Sequence, residues 1–280
     1  MKVMVTGACG ILGTAVCEEL EKNNIQYIAV DKKDFDITDK EKTIQEIEKI
    51  TPDVVIHCAA YTKVDMAEVE QEECQKINVD GTNNIVQACK KINCTLLFVS
   101  SDYIFDGEKE GVYEIDDSPN PISFYGKTKL DAEAIIKSTL NKFFIVRISW
   151  LFGNNGVNFV KTMLKLSEEK KELSVVNDQI GSPTYSKDVA KLFVTMIQTD
   201  KYGIYHATNE EFCSWAEYAE EIFRIAGKDV KVKKVTSEEY NAKAKRPKNS
   251  KLSKRSLTDN GFSLLPTWKE SVNKYILTNF

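Results

Sequence analysis

Short apolar runs alternate with helical patterns along the first half of the chain. Five runs have the length and apolar character of strands buried on both faces, at residues 2–6, 25–30, 53–58, 94–99 and 143–149. Such strands, separated by segments with helical periodicity, are typical of a parallel sheet that helices cover on both sides. We therefore predict an α/β fold with a Rossmann-like, doubly wound parallel sheet.

Beyond residue 153 this regular alternation loosens. Helical patterns and short apolar runs still follow one another, at residues 158–166, 187–198, 203–207, 215–226, 230–235 and 268–277. We predict a larger domain of residues 1–153 with a return segment near 184–206. Residues 154–183 and 207–280 are expected to form a smaller C-terminal part, and a cleft shared by two such parts is a common place for a small-molecule site.

Three glycines occupy the turn between the first apolar run and the next helical pattern. Gly7, Gly10 and Gly13 have the spacing Gly-x-x-Gly-x-x-Gly, with Ile11 and Leu12 inside the same turn. Such glycines can be purely structural, but between a strand and a helix they also let the backbone approach a pyrophosphate. The helix that follows offers unpaired N–H groups to that anion. We predict that this turn binds a dinucleotide and that residues 1–153 form an NAD(P)-binding domain.

An acidic residue ends the second apolar run. Asp31 lies near the position, roughly 20 residues after the glycines, where a carboxylate hydrogen-bonds the adenosine ribose of a dinucleotide. This position favours NADH. Lys32 and Lys33 follow directly and could bind the additional phosphate of NADPH. The sequence therefore leaves NADPH or NADH open as the cofactor.

Polar residues lead from the second run into the next helical pattern. Asp36 and Ile37 precede that pattern, and we expect them near the adenine. Thr38, with Glu41 three residues later, has the spacing of a capping box and is predicted to begin the helix. The expected role of Thr38 is therefore structural.

The third apolar run ends in Ala59, Ala60, Tyr61 and Thr62. Small side chains at the end of a strand let a cofactor lie against the backbone. We predict that these four residues contribute to cofactor binding.

The next helical pattern contains two residues that weaken helices. Asn78 and Gly81 both lower helix stability relative to alanine. We expect that this helix needs a close approach or a side-chain amide at this point.

A hydroxyl and a Tyr-x-x-x-Lys pair are the candidate catalytic groups. Ser101 follows the fourth apolar run, at the sheet edge where doubly wound proteins hold their ligands. Tyr125 and Lys129 lie four residues apart in a helical pattern and share one helix face. A nearby ammonium favours the phenolate and lowers the pKa of tyrosine from its ordinary value of about 10. This spacing also arises by chance, but together with Ser101 and the glycine turn it predicts acid–base chemistry on a substrate oxygen.

Charge and composition exclude several classes of function. The net charge of −4 gives no overall basic field for nucleic acid or an anionic membrane. No apolar run reaches the roughly 18 residues of a membrane span, and the glycine turn follows Met1 too closely for a signal peptide. The seven cysteines are scattered without a Cys-x-x-Cys spacing, which is typical of reduced thiols. We therefore expect a cytoplasmic location.

The sequence shows no cluster of metal ligands, and we predict no metal site. The two histidines, His57 and His206, are far apart in the sequence. His57 lies inside an apolar run, so we expect it to be packed rather than catalytic.

Three segments have two interpretations each. Residues 105–121 form an acidic, turn-rich loop that is either a lid or a surface loop. The basic run at 243–254 is either a solvated surface or a clamp for an anionic substrate. Trp150 follows the fifth apolar run and either stacks on a substrate base or packs in the core.

Three longer blocks carry a resemblance. They are Thr-x-Val-Asp at 62–65, Asp-Tyr-x-Phe-Asp-Gly at 102–107 and Asp-Gln-x-Gly-Ser-Pro-Thr at 178–184. With the glycine and Tyr-x-x-x-Lys motifs, they make the chain similar to the extended short-chain dehydrogenase/reductases. Within that family it resembles the dTDP-4-dehydrorhamnose reductases over nearly its whole length.

The resemblance implies NAD(P)H-dependent reduction of the C4 keto group of dTDP-4-dehydro-L-rhamnose, a step in the synthesis of a cell-surface polysaccharide sugar. It implies that Tyr125 is the general acid, that Lys129 modulates it and anchors the nicotinamide ribose, and that Ser101 supplies a second hydroxyl, where the family usually has threonine. Tyr125 and Lys129 would thus also contact the cofactor. The resemblance further implies a possible homodimer and contacts to the nucleotide-sugar substrate from Val64, Ser101, Asp102, Trp150 and Arg246, the last at the diphosphate.

Other interpretations remain. Related dehydratases have an Asp-Glu pair after the strand-end hydroxyl, whereas here Tyr103 follows Asp102, so the base for elimination is missing. An epimerase, a reductase of another nucleotide-linked 4-keto sugar and a catalytically silent regulatory subunit that binds the cofactor are the remaining alternatives.

Overall fold

Twelve strands form one large sheet and three two-stranded sheets in the computed structural model, which describes residues 1–280. In chain order they are β1 Lys2–Thr6, β2 Gln26–Val30, β3 Val54–His57, β4 Thr95–Ser101, β5 Phe143–Ile148, β6 Leu151–Phe152, β7 Glu172–Val176, β8 Ile180–Gly181, β9 Thr184–Tyr185, β10 Gly203–His206, β11 Cys213–Ser214 and β12 Lys231–Val235.

The large sheet contains six parallel strands in the spatial order β10-β5-β4-β3-β1-β2. The chain moves from β1 outward to β2 and then returns to the other side of β1 with β3. The strand order therefore reverses between β1 and β3, where Thr6 pairs with His57. Open α/β sheets bind ligands at such a switch point, outside the carboxyl ends of the strands.

Twelve α-helices connect these strands. They are α1 Ile11–Lys22, α2 Lys40–Ile50, α3 Val64–Ala67, α4 Gln71–Gln75, α5 Thr82–Ile92, α6 Phe124–Thr139, α7 Phe159–Glu169, α8 Ser186–Met196, α9 Trp215–Ile225, α10 Ser237–Tyr240, α11 Arg255–Asp259 and α12 Trp268–Asn279. None of them is long and apolar enough to cross a membrane.

Helices cover both faces of the large sheet. On one face, α1 and α8 pack side chains such as Leu20 and Phe193 against the strands. On the other, α2, α5 and α6 contribute Ile47, Ile85 and Ile136. The strands are apolar on both sides because both sides are covered. The predicted doubly wound fold is confirmed.

A third apolar core lies in the C-terminal part of the chain. Phe152, Tyr218, Trp268 and Tyr275 pack there, between α7, α9 and α12. The return segment, with α8 and β10, belongs instead to the large sheet and its covering layer. The domain boundary near residue 153 stays a prediction.

The start of α2 differs from the prediction. The helix begins at Lys40, and the carboxylate of Asp39 accepts the N–H of Lys42. The predicted capping box of Thr38 and Glu41 is therefore wrong. Asp39 offers an equally good cap one residue later, and its charge also suits the positive end of the helix.

The expected need for an amide or a close approach before α5 is confirmed. Residues Lys76–Gly81 form a π-helical turn. The Asn78 amide accepts the N–H of Tyr61 at 2.8 Å and donates to the Thr128 hydroxyl at 3.0 Å. A Cβ at Gly81 would lie 2.9 Å from the side chain of Ile37. Asn78 thus ties the segment after β3 to α6.

The acidic loop and the basic run are bound to one another. Tyr113 is buried, stacks on Phe105 with ring centroids 4.2 Å apart, and its N–H donates to Lys251 O at 2.7 Å. The side chain of Asn249 donates to the carbonyls of Lys109 and Gly111 at 2.6 and 2.8 Å. The 105–121 loop is therefore fixed to the C-terminal segment.

Candidate active site

One cleft of about 720 Å³ crosses the carboxyl edge of the large sheet. The glycine turn and Asp31 line one end, and Tyr125, Lys129 and Trp150 line the other. Its volume lies within the range of roughly 300–1,000 Å³ that is usual for small-molecule sites. The cleft therefore joins the predicted cofactor residues to the predicted catalytic residues.

The glycine turn contacts the segment after β3 so closely that side chains cannot fit. Gly7 has φ +63°, and a Cβ there would lie 2.7 Å from the backbone nitrogen of Ala59. A Cβ at Gly13 would lie 2.1 Å from Gly7 O. Gly10, the residue before α1, has no side chain that could cap the helix. The first N–H groups of the helix are therefore available to an anion. This cradle fits the pyrophosphate of a dinucleotide.

The carboxylate of Asp31 is fixed beside the glycine turn. It accepts the N–H of Cys9 at 2.9 Å and that of Lys32 at 2.7 Å. Burial opposes ionisation, but these hydrogen bonds hold the pKa of Asp31 below its ordinary value. An ionised carboxylate at this end suits ribose hydroxyls and repels an additional phosphate.

Ser101, Tyr125 and Lys129 all line the cleft. Ser101 is the last residue of β4, whereas Tyr125 and Lys129 lie in the first two turns of α6. Gly126 lets α6 approach the turn after β4, because a Cβ there would lie 2.1 Å from Tyr103 O. This close approach brings the phenol of Tyr125 to the strand end that carries Ser101.

Burial has the largest effect on the pKa values of Tyr125 and Lys129. Burial raises the pKa of the Tyr125 phenol, the charge of Asp102 raises it further, and the nearby Ser101 hydroxyl acts in the opposite direction. The lowered phenol pKa that the Tyr-x-x-x-Lys spacing predicts is therefore wrong for this structure. Burial also lowers the pKa of Lys129 to about 8, while the negative charge of Glu133 acts against that shift.

Asp102 presents a carboxyl oxygen without a hydrogen-bond partner. Its Oδ1 accepts the Ser101 hydroxyl at 3.0 Å, but its buried Oδ2 has no partner. Burial raises the pKa of this carboxyl to about 6, although the nearby hydroxyls of Ser250 and Ser101 act in the opposite direction. A buried acceptor of this kind can hold a ligand hydroxyl at the edge of the cleft.

The comparisons with known proteins identify the family. A family model described as the RmlD substrate binding domain matches residues 1–279. The chain belongs to this RmlD family.

Relatives of this RmlD-family chain match it over nearly its whole length. The spore coat polysaccharide biosynthesis protein SpsK of Bacillus subtilis is 39% identical over 98% of this chain and 96% of that protein. A dTDP-4-dehydrorhamnose reductase of Aggregatibacter actinomycetemcomitans is 40% identical over 89% of each chain. The crystal structure of dTDP-4-dehydrorhamnose reductase from Bacillus anthracis in complex with NADP superposes with a TM-score of 0.96 at 42% identity, covering 99% of each chain.

Tyr103 lines the cleft of the RmlD-family chain, although the sequence analysis assigned it no site role. Its ring lies edge-on to that of Tyr125, with centroids 5.6 Å apart and an angle of 82° between the planes. The signal that could have found it is its position directly after the strand-end residues Ser101 and Asp102. Further lining residues that no sequence motif revealed include Ser100, Ser149 and Val157.

Trp150 packs against another aromatic ring and also lines the cleft, so its position agrees with both of its interpretations, core packing and substrate contact. Its ring stacks on Trp215 with centroids 3.7 Å apart, and it also lines the cleft. A Cβ at Gly181 would lie 2.7 Å from the indole, so only glycine leaves space for it. The indole is thus a fixed wall of the site.

Most predicted site residues line this cleft. They are Gly7, Gly10, Ile11, Leu12, Gly13, Asp31, Asp36, Ile37, Ala59, Ala60, Thr62, Val64, Ser101, Asp102, Tyr125, Lys129 and Trp150.

Two predicted site residues, Tyr61 and Arg246, do not line the cleft. The ring of Tyr61 packs with Ala67 and Cys74, and its hydroxyl donates to Glu70 at 2.5 Å. Arg246 instead forms an ion pair outside the lining of the cleft, with a carboxylate from α3. Their predicted roles as cofactor and substrate ligands stay predictions.

His57 is packed, as predicted. Its ring nitrogens lie 2.7 Å from the Thr6 hydroxyl and 3.1 Å from the Thr82 hydroxyl. Burial, with a smaller effect from Lys129, lowers its pKa to about 3. The ring is therefore neutral and structural.

Proposed function

We propose that this chain catalyses the NAD(P)H-dependent reduction of the C4 keto group of dTDP-4-dehydro-L-rhamnose to dTDP-L-rhamnose. The observation that carries the proposal is the single cleft that joins Ser101, Tyr125 and Lys129 to the glycine turn. The similarity to reductases of that name over 89% or more of each chain, one of them in complex with NADP, supports the same reaction.

The cofactor would lie along the length of the cleft. The glycine turn and the start of α1 would hold the pyrophosphate, and Asp31 would bind the adenosine ribose. Ala59 and Ala60 would leave room for the cofactor along the backbone. Bound NAD(P)H supplies a hydride to C4 of the sugar. Lys129 would bind the nicotinamide ribose at the far end.

The side chains of the chain supply the proton. The raised pKa of Tyr125 keeps the phenol protonated at neutral pH, which is the form that donates to the C4 oxygen. Ser101 would turn its hydroxyl from Asp102 to the same oxygen, and Lys129 would return a proton to the phenol. General acid catalysis of this kind is typically worth about 10²–10⁴-fold in rate.

The substrate end of the cleft contains both apolar and polar groups. Val64 and Trp150 would contact the nucleotide-sugar, and the free oxygen of Asp102 would accept a sugar hydroxyl. Arg246 would reach the diphosphate only by exchanging its carboxylate partner for it. We also propose a cytoplasmic location, and the family resemblance implies a possible homodimer.

Oxidation of NADPH and NADH with dTDP-4-dehydro-L-rhamnose tests the proposal. The wild-type protein should consume at least one cofactor, and Tyr125→Phe should lose at least a hundredfold in kcat while still binding the cofactor. Tyr205→Phe is the matched control, since Tyr205 is a buried tyrosine of β10 outside the cleft. Full activity in Tyr125→Phe would contradict the assigned chemistry.

A second candidate is the reduction of another nucleotide-linked 4-keto sugar. A relative from Streptomyces niveus that is named dTDP-4-keto-6-deoxy-D-glucose reductase favours it, with 29% identity over 97% of this chain and 95% of that protein. Assays with a panel of 4-keto-6-deoxy sugars on dTDP and other nucleotides would separate the two. A kcat/KM at least tenfold higher for another sugar would select the second candidate. No turnover on any of them, with intact cofactor binding, would favour a silent regulatory subunit.

A further inference from the structure

An ion pair is buried directly behind the catalytic helix face. Glu133 lies one turn after Lys129 on α6, and Arg147 lies on β5. The guanidinium binds both carboxylate oxygens, with Nε–Oε1 at 2.9 Å and Nη2–Oε2 at 2.8 Å. Both residues are at most 1% exposed. Desolvation often offsets the attraction in such pairs, so stability alone is a weak reason for this one.

Additional hydrogen bonds connect the pair to the site. The Ser100 hydroxyl donates to Glu133 Oε1 at 2.6 Å, and Ser100 both lines the cleft and precedes Ser101. Arg147 Nη1 donates to Ile115 O at 3.1 Å and lies 3.2 Å from His206 Nε2. Glu133 is therefore held in one position where α6 packs against the ends of β4 and β5.

Lys129 has few other titratable neighbours. Burial raises the pKa of Cys58 to about 12 and also raises that of Cys74, so both thiols are neutral at pH 7. His57, with its pKa lowered to about 3 by burial, is neutral as well. Glu133, whose carboxylate pairs with Arg147, is the group whose negative charge acts on Lys129.

Lys129 is only 3% exposed, and its ammonium lies 4.1 Å from the centre of the Phe98 ring. We propose that Glu133 is a positioning residue for the proposed reduction: one turn along α6 from Lys129 and fixed by Arg147 and Ser100, its carboxylate keeps Lys129 protonated beside Tyr125. The inference rests on the proposed function for its kinetic consequence, but the charge state of Lys129 can be measured without turnover.

Loss of the Glu133 charge should shift the pH dependence of the activity in a definite direction. Lys129 loses its proton as the pH rises through about 8, so activity should fall there. Without the negative charge of Glu133, the pKa of Lys129 moves further down. The alkaline limb of the kcat profile should then move to lower pH by about one unit, which corresponds to about 1.4 kcal/mol.

Two variants separate the effect of the Glu133 charge from the effect of its packing. Glu133→Gln with Arg147→Met removes both charges and leaves no buried ion unpaired, whereas Glu133→Asp retains the negative charge. We expect the alkaline limb to move down in the double variant and to stay near its wild-type position in Glu133→Asp. If the double variant does not fold, Glu133→Gln alone should move the limb in the same direction, because Arg147 then adds an unopposed positive charge.

A second measurement uses the cofactor-free protein. Carbon-13 NMR of the lysine Cε atoms follows the titration of Lys129 directly, with the resonance assigned from Lys129→Met. The midpoint should fall by about one pH unit in the double variant. An unchanged midpoint and an unchanged kcat profile would overturn the inference. Full activity in Tyr125→Phe would overturn the proposed function instead, and the NMR result would still decide the role of Glu133.

Discussion

The guanidinium of Arg246 is held by the carboxylate of Asp65 through two hydrogen bonds, from Nη1 to Oδ1 at 3.1 Å and from Nη2 to Oδ2 at 2.6 Å. The same carboxylate accepts the N–H of Ala244 at 3.0 Å. Asp65 lies in α3, next to the cleft residue Val64. The pair therefore fixes the C-terminal basic segment to α3, beside the cleft.

We predict that Arg246→Gln raises KM for the nucleotide-sugar about tenfold and changes kcat less than twofold. A tenfold change is about 1.4 kcal/mol of binding free energy. Because the ion pair is partly exposed, its loss should lower the free energy of unfolding by only about 0.2–1 kcal/mol. Steady-state kinetics measure both constants, with the exposed Arg255→Gln as the control. An unchanged KM in Arg246→Gln would contradict the prediction.

We predict that Ser101→Ala lowers kcat/KM by roughly ten- to a hundredfold, since it removes a hydrogen bond to an oxygen that gains charge. Ser101→Thr should match or exceed the wild-type rate, because it keeps the hydroxyl and adds a β-branch that restricts its rotamer. Measuring kcat/KM for both variants in the same assay checks both expectations. Equal losses in the two variants would show that the hydroxyl is not what matters at this position.

We predict that Asp31→Asn increases the ratio of kcat/KM for NADPH to that for NADH by about tenfold. The carboxylate, held by Cys9 and Lys32, would otherwise repel the additional phosphate of NADPH. Parallel kinetics with both cofactors measure the ratio. The matched control is Asp53→Asn, a change at an exposed carboxylate outside the cleft. An equal change of this cofactor ratio in both variants would argue against a specific role of Asp31.

We predict that Asp102→Asn stabilises the protein at pH 7 by roughly 1–3 kcal/mol while it weakens substrate binding. Burial raises the pKa of Asp102 from 3.8 to about 6, so the folded state binds the proton more tightly than the unfolded state. Its contribution to stability therefore falls as the pH rises from about 4 to about 6 and stays low above that. Urea unfolding at pH 7 should show the gain, and unfolding below pH 4 should show none. An equal gain at both pH values would point to packing instead.

Local rules predict much of the fold and of the cofactor end of the site. The strands are apolar on both faces because helices cover the sheet, so their runs can be read directly from the sequence. Gly7 and Gly13 are required where two backbone segments meet, and that requirement leaves a visible spacing. Tyr125 and Lys129 share a helix face by spacing alone.

Contacts between distant segments explain what the sequence did not reveal. Asp65 and Arg246 are 181 positions apart. The raised pKa of the Tyr125 phenol depends on burial by residues from several elements, which the Tyr-x-x-x-Lys spacing does not contain. The cap of α2 at Asp39 rather than Thr38 was a choice between two neighbouring good caps, and propensity alone does not decide it.

The most direct test of the central claim is the fate of the cofactor hydride. The protein would be incubated with dTDP-4-dehydro-L-rhamnose and NADPH or NADH deuterated at the transferable position of the nicotinamide, and the product analysed by NMR. Hydride transfer to the keto carbon predicts dTDP-L-rhamnose with deuterium at C4 and one cofactor oxidised per product. Conversion of the sugar without cofactor consumption, or product without deuterium at C4, would contradict the account.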